Sequence, residues 1–273
     1  KLEELLEYQI ANSTDAIIIC GTTGESSTMT HGEHLKTIKF AIDKVNKRVP
    51  VIAGTGSNCT ETAIMMSKEA ASYGADALLI VTPYYNKATQ KGLIAHYTAI
   101  AEAVPEIPVL LYNNPGRVGY TLSADLVEKL AHEVENIVGM KDTSGDITQT
   151  EEFIRRNADV GFKVFGGKDT LLYASLCIGA VGGVCTAGNF MPELIVDIYN
   201  KYVAGDIKGS LAAQYKLNPV RLAMDGASFP VAAKDMAIMR GLAAGKPYLP
   251  NLPTPEGASY DKMKKEMEKA GLI

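Results

Sequence analysis

The chain has 273 residues and a formal net charge of −4, with 47% hydrophobic and 21% charged residues. This composition is ordinary for a folded globular protein and excludes a disordered one. The acidic balance disfavours nucleic acids and anionic membranes as partners, since both require a clustered positive surface. The four cysteines are scattered without a Cys-x-x-Cys pair, which argues against a disulfide scaffold or a zinc–thiolate site and favours a reducing cytoplasm.

Membrane segments and metal sites are also unexpected. No apolar run reaches the ~18 residues of a membrane span, and the chain opens on the helix-like Lys1-Leu2-Glu3-Glu4 rather than on a signal peptide. His31 and His34 stand three residues apart, close enough to share a helix face. Because no acidic pair completes a ligand set around them, we expect no metal there.

Short apolar runs alternate with amphipathic segments along the first two thirds of the chain. A helix face formed by Leu2, Leu5, Leu6 and Ile10 precedes the first run. The runs have the length of strands that are buried on both faces of a parallel sheet. They cover Ala16–Cys20, Val49–Ala53, Ala75–Thr82, Pro108–Tyr112, Ile137–Lys141, Lys163–Gly166 and Ala180–Thr186. Only helical patterns follow, at Pro192–Val203, Asp206–Leu222, Pro230–Ala243 and Tyr260–Ala270.

This alternation predicts βαβ units in either an open doubly wound sheet or a closed (β/α)8 TIM barrel. No Gly-x-Gly-x-x-Gly follows an early strand, which disfavours the dinucleotide-binding open sheet. A closed barrel needs eight strands and seven are visible, so we expect the first strand to be missing from the chain. We therefore predict an α/β fold with a TIM barrel over residues 1–203 and a C-terminal helical appendage over residues 204–273. The pairs Gly166-Gly167 and Gly182-Gly183 are interpreted as close packing rather than a phosphate site.

Lys141 is the most informative candidate for chemistry. It ends the apolar run Ile137–Lys141, so it belongs to a buried strand, and the active sites of parallel barrels lie at the C-terminal ends of the strands. Desolvation favours the neutral amine of a lysine, which attacks a carbonyl carbon to form a Schiff base. The alternative interpretation is a strand-end lysine that is paired with Asp142 or Glu25.

Hydroxyl groups and an arginine follow other strand ends. Thr22 and Thr23 lie in a glycine-flanked loop after the first strand, and Tyr85 and Tyr112 belong to the third and fourth strand ends. Such hydroxyls can pass protons between an imine and solvent, although tyrosines also end strands merely with buried rings. The loop can hold a carboxylate. Arg117 can bind a second carboxylate through two parallel hydrogen bonds. The alternative interpretation is an arginine on a surface turn.

Three of these motifs together resemble the dihydrodipicolinate synthase / N-acetylneuraminate lyase family. They occur in the family's order, with Thr82-Pro83-Tyr84-Tyr85-Asn86 between them. The motifs are Gly21-Thr22-Thr23-Gly24-Glu25-Ser26, Tyr112-Asn113-Asn114-Pro115-Gly116-Arg117 and Gly139-Met140-Lys141-Asp142-Thr143. The similarity runs over essentially the whole chain, with the first barrel strand absent at the front. It implies a TIM barrel and a class I pyruvate synthase or lyase.

The resemblance implies a Schiff base between Lys141 and pyruvate, without a cofactor. It also implies proton transfer by Tyr112, Thr23 and Tyr85, with Tyr85 reaching in from a neighbouring subunit. The protein is then a homodimer or homotetramer. The family's substrate-binding positions correspond to Thr22, Thr23, Arg117 and Val184.

The choice of branch within the family depends on fewer residues. The Thr22-Thr23 pair and Arg117 resemble the synthase branch, a lyase of lysine biosynthesis. That enzyme condenses pyruvate with a small aldehyde, L-aspartate semialdehyde, to give 4-hydroxy-tetrahydrodipicolinate. Asn114 departs from the small apolar residue that the family usually has there. The alternatives are an aldolase or lyase that acts on a sugar-derived 2-oxo acid with the same Lys141 chemistry, and a non-catalytic truncated barrel.

A regulatory site for lysine is the last feature that the resemblance implies. His31, His34, Asn58 and Tyr84 match the positions of that site. Thr62 stands where a lysine-inhibited enzyme carries a glutamate that binds the lysine ammonium, so the sequence leaves feedback inhibition open.

Overall fold

Seven parallel strands form a single sheet, in which each strand pairs with the next one along the chain. The computed structural model describes residues 1–273. Its strands are β1 (Ile17–Ile19), β2 (Val51–Gly54), β3 (Ala77–Val81), β4 (Val109–Asn113), β5 (Ile137–Asp142), β6 (Lys163–Gly166) and β7 (Gly182–Gly183). All seven predicted strands are therefore confirmed, although the seventh is shortened to two residues.

Helices connect the strands and then continue alone after β7. They are α1 (Leu2–Ala11), α2 (His31–Val45), α3 (Thr60–Ser72), α4 (Gln90–Glu102), α5 (Pro115–Val118), α6 (Ala124–Glu133), α7 (Ile147–Arg156), α8 (Leu172–Cys177), α9 (Pro192–Val203), α10 (Ile207–Ala223), α11 (Val231–Met239) and α12 (Ala258–Lys269). No helix combines the length and the apolar character that crossing a membrane requires. The four helical patterns expected at the C-terminal end correspond to α9–α12.

Helix α1 connects the two edges of the sheet, β1 and β7. It packs against α2, which follows β1. At the other edge, Gln9 Nε2 donates a hydrogen bond of 2.8 Å to the carbonyl of Gly188, just after β7. The Tyr8 hydroxyl accepts a hydrogen bond of 2.7 Å from Arg240, the residue that directly follows α11. The chain thus contains seven strands of the expected barrel, and α1 lies across the interval between the first and the last of them.

Successive side chains of each strand point to opposite faces of the sheet. One face packs against the surrounding helices in a cluster of 32 buried residues, among them Leu78, Ile80 and Leu111. The alternate positions, such as Leu79 and Leu110, form a smaller cluster with Tyr112 and Phe165. The second set fills the inside of the curved sheet, as in a barrel whose interior is packed rather than open.

A second hydrophobic cluster of 17 buried residues attaches the C-terminal helices to the barrel. It contains Leu176 of α8, Ile198 of α9, Leu217 of α10 and Met263 of α12. These residues lie on both sides of the predicted boundary between residues 203 and 204. The C-terminal helices therefore share a continuous core with the last elements of the barrel.

One of the paired glycines, Gly167, is required by close packing, as the sequence interpretation proposed. A Cβ atom at Gly167 would overlap Thr143 Oγ1, and one at Gly183 would overlap Leu172 Cδ1. The Gly167 Cβ would also come within 2.9 Å of the Asp142 carbonyl oxygen, so a larger residue there would push the end of β6 away from the end of β5, whereas at Gly183 the flexible end of the Leu172 side chain can move aside.

Glu25 fastens the loop after β1 to the C-terminal segment. Its side chain is buried, and its carboxylate forms a salt bridge with Lys234 of α11. The same carboxylate accepts a 3.0 Å hydrogen bond from the backbone N–H of Tyr248. A buried carboxylate that loses its partners is left with an uncompensated charge, which destabilises the folded state. The same holds when the carboxylate is removed and its partner keeps a charge.

Replacing Glu25 with Ala should lower the free energy of unfolding by about 3 kcal/mol, because the half-buried Lys234 would lose its counter-charge and the Tyr248 N–H its acceptor. Urea denaturation followed by circular dichroism measures this loss. Asp43→Ala is the control, since it removes an exposed pair with Lys39 and should cost less than about 1 kcal/mol. Equal losses in the two variants would contradict the assigned role of Glu25.

Candidate active site

Lys141 and Tyr112 lie side by side on neighbouring strands. They are register partners in the parallel pairing of β4 with β5. The Lys141 Nζ atom lies 4.4 Å from the centre of the Tyr112 ring, within the range of a cation–π interaction. Both residues belong to the C-terminal ends of their strands, where the sites of parallel barrels are found. The structure thus brings together the two residues that the sequence ranked first.

Lys141 has no carboxylate within salt-bridge distance, so the interpretation that pairs it with Asp142 or Glu25 is wrong. The Glu25 carboxylate forms its salt bridge with Lys234. The Asp142 carboxylate accepts a 2.8 Å hydrogen bond from Asn113. Since both acidic neighbours are bound elsewhere, the amine of Lys141 is available to a ligand.

Tyr112 is buried, with only 4% of its surface exposed. Its hydroxyl lies 3.4 Å from Thr22 Oγ1 and accepts a 2.8 Å hydrogen bond from Asn114 Nδ2. Burial raises the pKa of Tyr112, but the positive charge of Lys141 and the hydrogen bond with Thr22 lower it more. The resulting pKa lies below the usual value of tyrosine. A lowered pKa makes this phenol a better proton donor than an ordinary tyrosine.

The two threonines of the first loop have different partners. The Thr22 hydroxyl faces Tyr112, whereas the Thr23 hydroxyl lies 3.3 Å from Thr186 Oγ1 after β7. The structure therefore places Thr22, rather than the predicted Thr23, next to the phenol. Sequence reasoning missed Thr186 as a partner, because its nearness to Thr23 depends on the curvature that brings β7 towards β1.

Tyr85 extends away from its own chain. Its side chain is 90% exposed, and it makes no hydrogen bond within the chain. Its backbone φ is +71°, a left-handed conformation that costs energy in a residue with a bulky side chain. Strain of this kind is found where the surrounding structure or a partner maintains it. Within one chain, Tyr85 is not joined to Tyr112.

Arg117 is exposed, and it is the one arginine of the chain that has no carboxylate partner. Its guanidinium lies over the ring of Phe229, 4.9 Å from the ring centre, and donates no hydrogen bond to its own turn. Arg117 and Phe229 line a cleft of about 410 Å³ together with Arg221, Met224, Asp225, Ala227 and Ser228. A free guanidinium at such a cleft is available to bind an anion.

The remaining predicted positions are spread over two regions. Val184 directly follows β7, and its backbone N–H donates a 2.8 Å hydrogen bond to the carbonyl of Gly166. His34 is buried, and its Nε2 lies 2.7 Å from the carbonyl oxygen of Gly54, which ties α2 to β2. His31 and Asn58 are exposed, and Tyr84 is half-buried. The lysine site stays a prediction. One of its four expected residues, His34, already contacts the Gly54 carbonyl within the chain.

The whole chain matches one known protein family. The profile of the dihydrodipicolinate synthetase family covers residues 1–270. The chain belongs to this family. One curated relative, the 4-hydroxy-tetrahydrodipicolinate synthase of Lachnoclostridium phytofermentans, is 47% identical over 273 residues, which are 100% of this chain and 92% of that relative.

Solved structures of the dihydrodipicolinate synthetase family share the fold. The dihydrodipicolinate synthase of Acinetobacter baumannii, complexed with pyruvate, has a TM-score of 0.93 and 38% identity over 100% of this chain and 92% of that chain. The enzyme of Cyanidioschyzon merolae, with lysine bound, has a TM-score of 0.95 and 34% identity over 99% and 91%. These likenesses confirm the (β/α)8 fold with C-terminal helices, and the family confirms an enzyme of the class I aldolase type.

Replacing Lys141 with Met should raise the pKa of Tyr112, because the coulombic effect of Lys141 lowers it in the wild-type protein. Methionine keeps most of the side-chain volume but removes the positive charge that offsets burial. The pKa is measured by an NMR pH titration of protein that is labelled with ¹³C at the tyrosine ring, and Tyr112→Phe identifies the resonance. An unchanged or lower pKa in the variant would show that Lys141 does not control this phenol.

Proposed function

We propose that this enzyme condenses pyruvate with L-aspartate semialdehyde to give 4-hydroxy-tetrahydrodipicolinate, the activity after which its relatives are named. One observation carries the proposal: the Lys141 amine lies beside the Tyr112 phenol, without a carboxylate partner, at the C-terminal end of a parallel sheet. A relative of the same fold is known in complex with pyruvate, which supports pyruvate as the first substrate.

The first step forms a covalent bond between enzyme and pyruvate. Lys141 Nζ first gives up its proton to solvent and then attacks the keto carbon of pyruvate, and the carbinolamine that results loses water to give an imine. The departing oxygen needs a proton, and the Tyr112 hydroxyl, on a buried side chain beside the Lys141 amine, can donate one. The carboxylate of pyruvate would rest on the loop that carries Thr22 and Thr23, whose backbone N–H and hydroxyl groups can donate to it.

The second step makes the carbon–carbon bond. Loss of a methyl proton converts the imine to an enamine, whose terminal carbon attacks the aldehyde carbon of the second substrate. The new alkoxide takes up a proton and becomes the hydroxyl group of the product. The amino group of the former semialdehyde then attacks the imine carbon, which closes the ring and releases the Lys141 amine. No cofactor is required, because the imine itself acts as the electron sink.

Protons enter and leave through hydroxyl groups in this proposal. We assign the position next to Tyr112 to Thr22, in place of the predicted Thr23, because of the 3.4 Å approach of their oxygens. Tyr85 would complete the path from a partner subunit, since it is exposed and conformationally strained in its own chain. The enzyme would then be at least a homodimer, and pairs of dimers would form a homotetramer.

Arg117 would bind the carboxylate of the second substrate. It lies in α5, the short helix that follows β4, and β4 also carries Tyr112. The other five arginines pair with acidic side chains, so their charges are already compensated. A guanidinium binds a carboxylate with two parallel hydrogen bonds, which also fixes the orientation of the aldehyde.

Borohydride treatment in the presence of pyruvate should add one reduced pyruvyl group to the protein, on Lys141. The reason is that borohydride converts the imine to a stable amine. Intact mass and peptide mapping measure the adduct. Lys141→Ala should abolish it, and Lys141→Arg should not restore it, because a guanidinium does not form the imine. Lys168→Ala is the matched control and should keep it, so an adduct on Lys168 would overturn the proposal.

Arg117→Ala should lower kcat/KM for L-aspartate semialdehyde by about 10–150-fold, the range expected when a charge-assisted hydrogen bond is lost. Steady-state kinetics measure this change. Trapping of pyruvate on Lys141 should be unaffected, and so should the thermal midpoint. Arg155→Ala removes an exposed arginine of α7 and should leave the kinetics unchanged. A variant that loses both substrates and stability together would show that Arg117 only braces its turn.

A further inference from the structure

Asn114 is the unexpected neighbour of the active-site phenol. It follows β4 directly and is 7% exposed. Its Nδ2 donates a 2.8 Å hydrogen bond to the Tyr112 hydroxyl oxygen, which is shorter than the 3.4 Å separation between that oxygen and Thr22 Oγ1. The shorter of these two contacts of the Tyr112 oxygen is therefore made by a residue that has no role in the proposed reaction.

The conformation of Asn114 shows that this contact replaces another favourable one. Asn114 is the N-cap residue of α5, and asparagine side chains at this position normally accept a hydrogen bond from a backbone N–H of the first turn. Here the side chain makes no such bond. Its amide is directed to Tyr112 instead, so the local helix gives up the stabilisation of a cap while the phenol acquires a donor.

A neutral amide donor has a definite effect on a phenol. The N–H group occupies a lone pair of the phenolic oxygen, so the proton of the phenol must point in another direction. The same N–H stabilises the phenolate more than the phenol, because a hydrogen bond to a charged acceptor is stronger. The groups that face Tyr112 from other elements are Lys141 of β5, Thr22 after β1 and Thr143 after β5. Lys141 is the charged one among them.

We infer that Asn114 is a positioning residue, which holds the Tyr112 oxygen as an acceptor and directs the phenolic proton into the site. The inference rests on the proposed function for its catalytic consequence, since it makes Tyr112 a better acid in the dehydration that forms the imine. An apolar residue at position 114 would leave the phenol free to rotate and would withdraw one of the donors to its oxygen.

The test compares Asn114→Leu with Asn114→Asp, two variants that keep the number and the branching of the side-chain heavy atoms of asparagine. Leucine removes the donor, so the pKa of Tyr112 in the unliganded enzyme should rise. A carboxylate at position 114 can only accept and carries a negative charge, so the Asp variant should raise the pKa further. Both values come from the ¹³C-tyrosine NMR titration. A pKa that stays unchanged in both variants would overturn the inference.

The catalytic consequence is measured with a double-mutant cycle. Asn114→Leu alone should lower kcat by about 5–10-fold and move the ionisation of the pH–rate profile to higher pH. In the Tyr112→Phe background, the same substitution should change kcat by less than about twofold, because the contact is already absent. Equal losses in both backgrounds would mean that Asn114 only supports the turn.

Pyruvate trapping separates failure of this inference from failure of the proposed function. If the wild-type enzyme forms no adduct on Lys141, the proposed function fails, while the NMR titration still decides whether Asn114 controls Tyr112. If the adduct forms and neither the titration nor the cycle responds to Asn114→Leu, the inference about Asn114 fails and the proposed function stands.

Discussion

The parallel pairing of β4 with β5 is the constraint on which the site depends. It places Tyr112 and Lys141 in register, so that two residues 29 positions apart in the chain share one edge of the sheet. Neighbouring parallel strands hold their side chains about 4.8 Å apart. The amine and the phenol therefore meet without any adjustment of loops. Every other polar group of the site reaches this pair from a turn that begins where a strand ends.

The positions of the acidic side chains determine which basic side chains near the site remain without a counter-charge. Glu25 is compensated by Lys234, and Asp142 is held by Asn113 and Thr150. Asp169 accepts hydrogen bonds from the backbone N–H groups of residues 186 and 187. The acidic groups close to the barrel mouth stabilise loops and helices, whereas Lys141 and Arg117 have no acidic partner. This division leaves two positive side chains for anionic or carbonyl ligands.

The C-terminal helices contribute to the site although they come after the last strand. Phe229, from the segment between α10 and α11, supports the guanidinium of Arg117. Lys234 of α11 holds Glu25 in the loop that carries the two threonines. The second hydrophobic cluster fixes these helices against the barrel. The C-terminal helices therefore support Arg117 and the loop of the two threonines at the mouth of the barrel. Without these helices both would lose a packing partner.

The sequence by itself determined the order of the strands and the C-terminal helices, and it placed Lys141 and Tyr112 at the strand ends where the structure has them side by side. Apolar runs of strand length are local signals, and the strand–helix alternation restricts the topology to a few parallel arrangements. Only the tertiary structure decided which groups touch. Two of these contacts join elements from separate parts of the chain: Thr22, rather than Thr23, approaches Tyr112, and Glu25 pairs with Lys234. The third, between Asn114 and the Tyr112 hydroxyl, depends on one side-chain rotamer. The physical reason is that periodicity defines which face of an element is buried. Hydrogen-bond partners depend on distances of a fraction of an ångström, which the packing of the whole barrel sets.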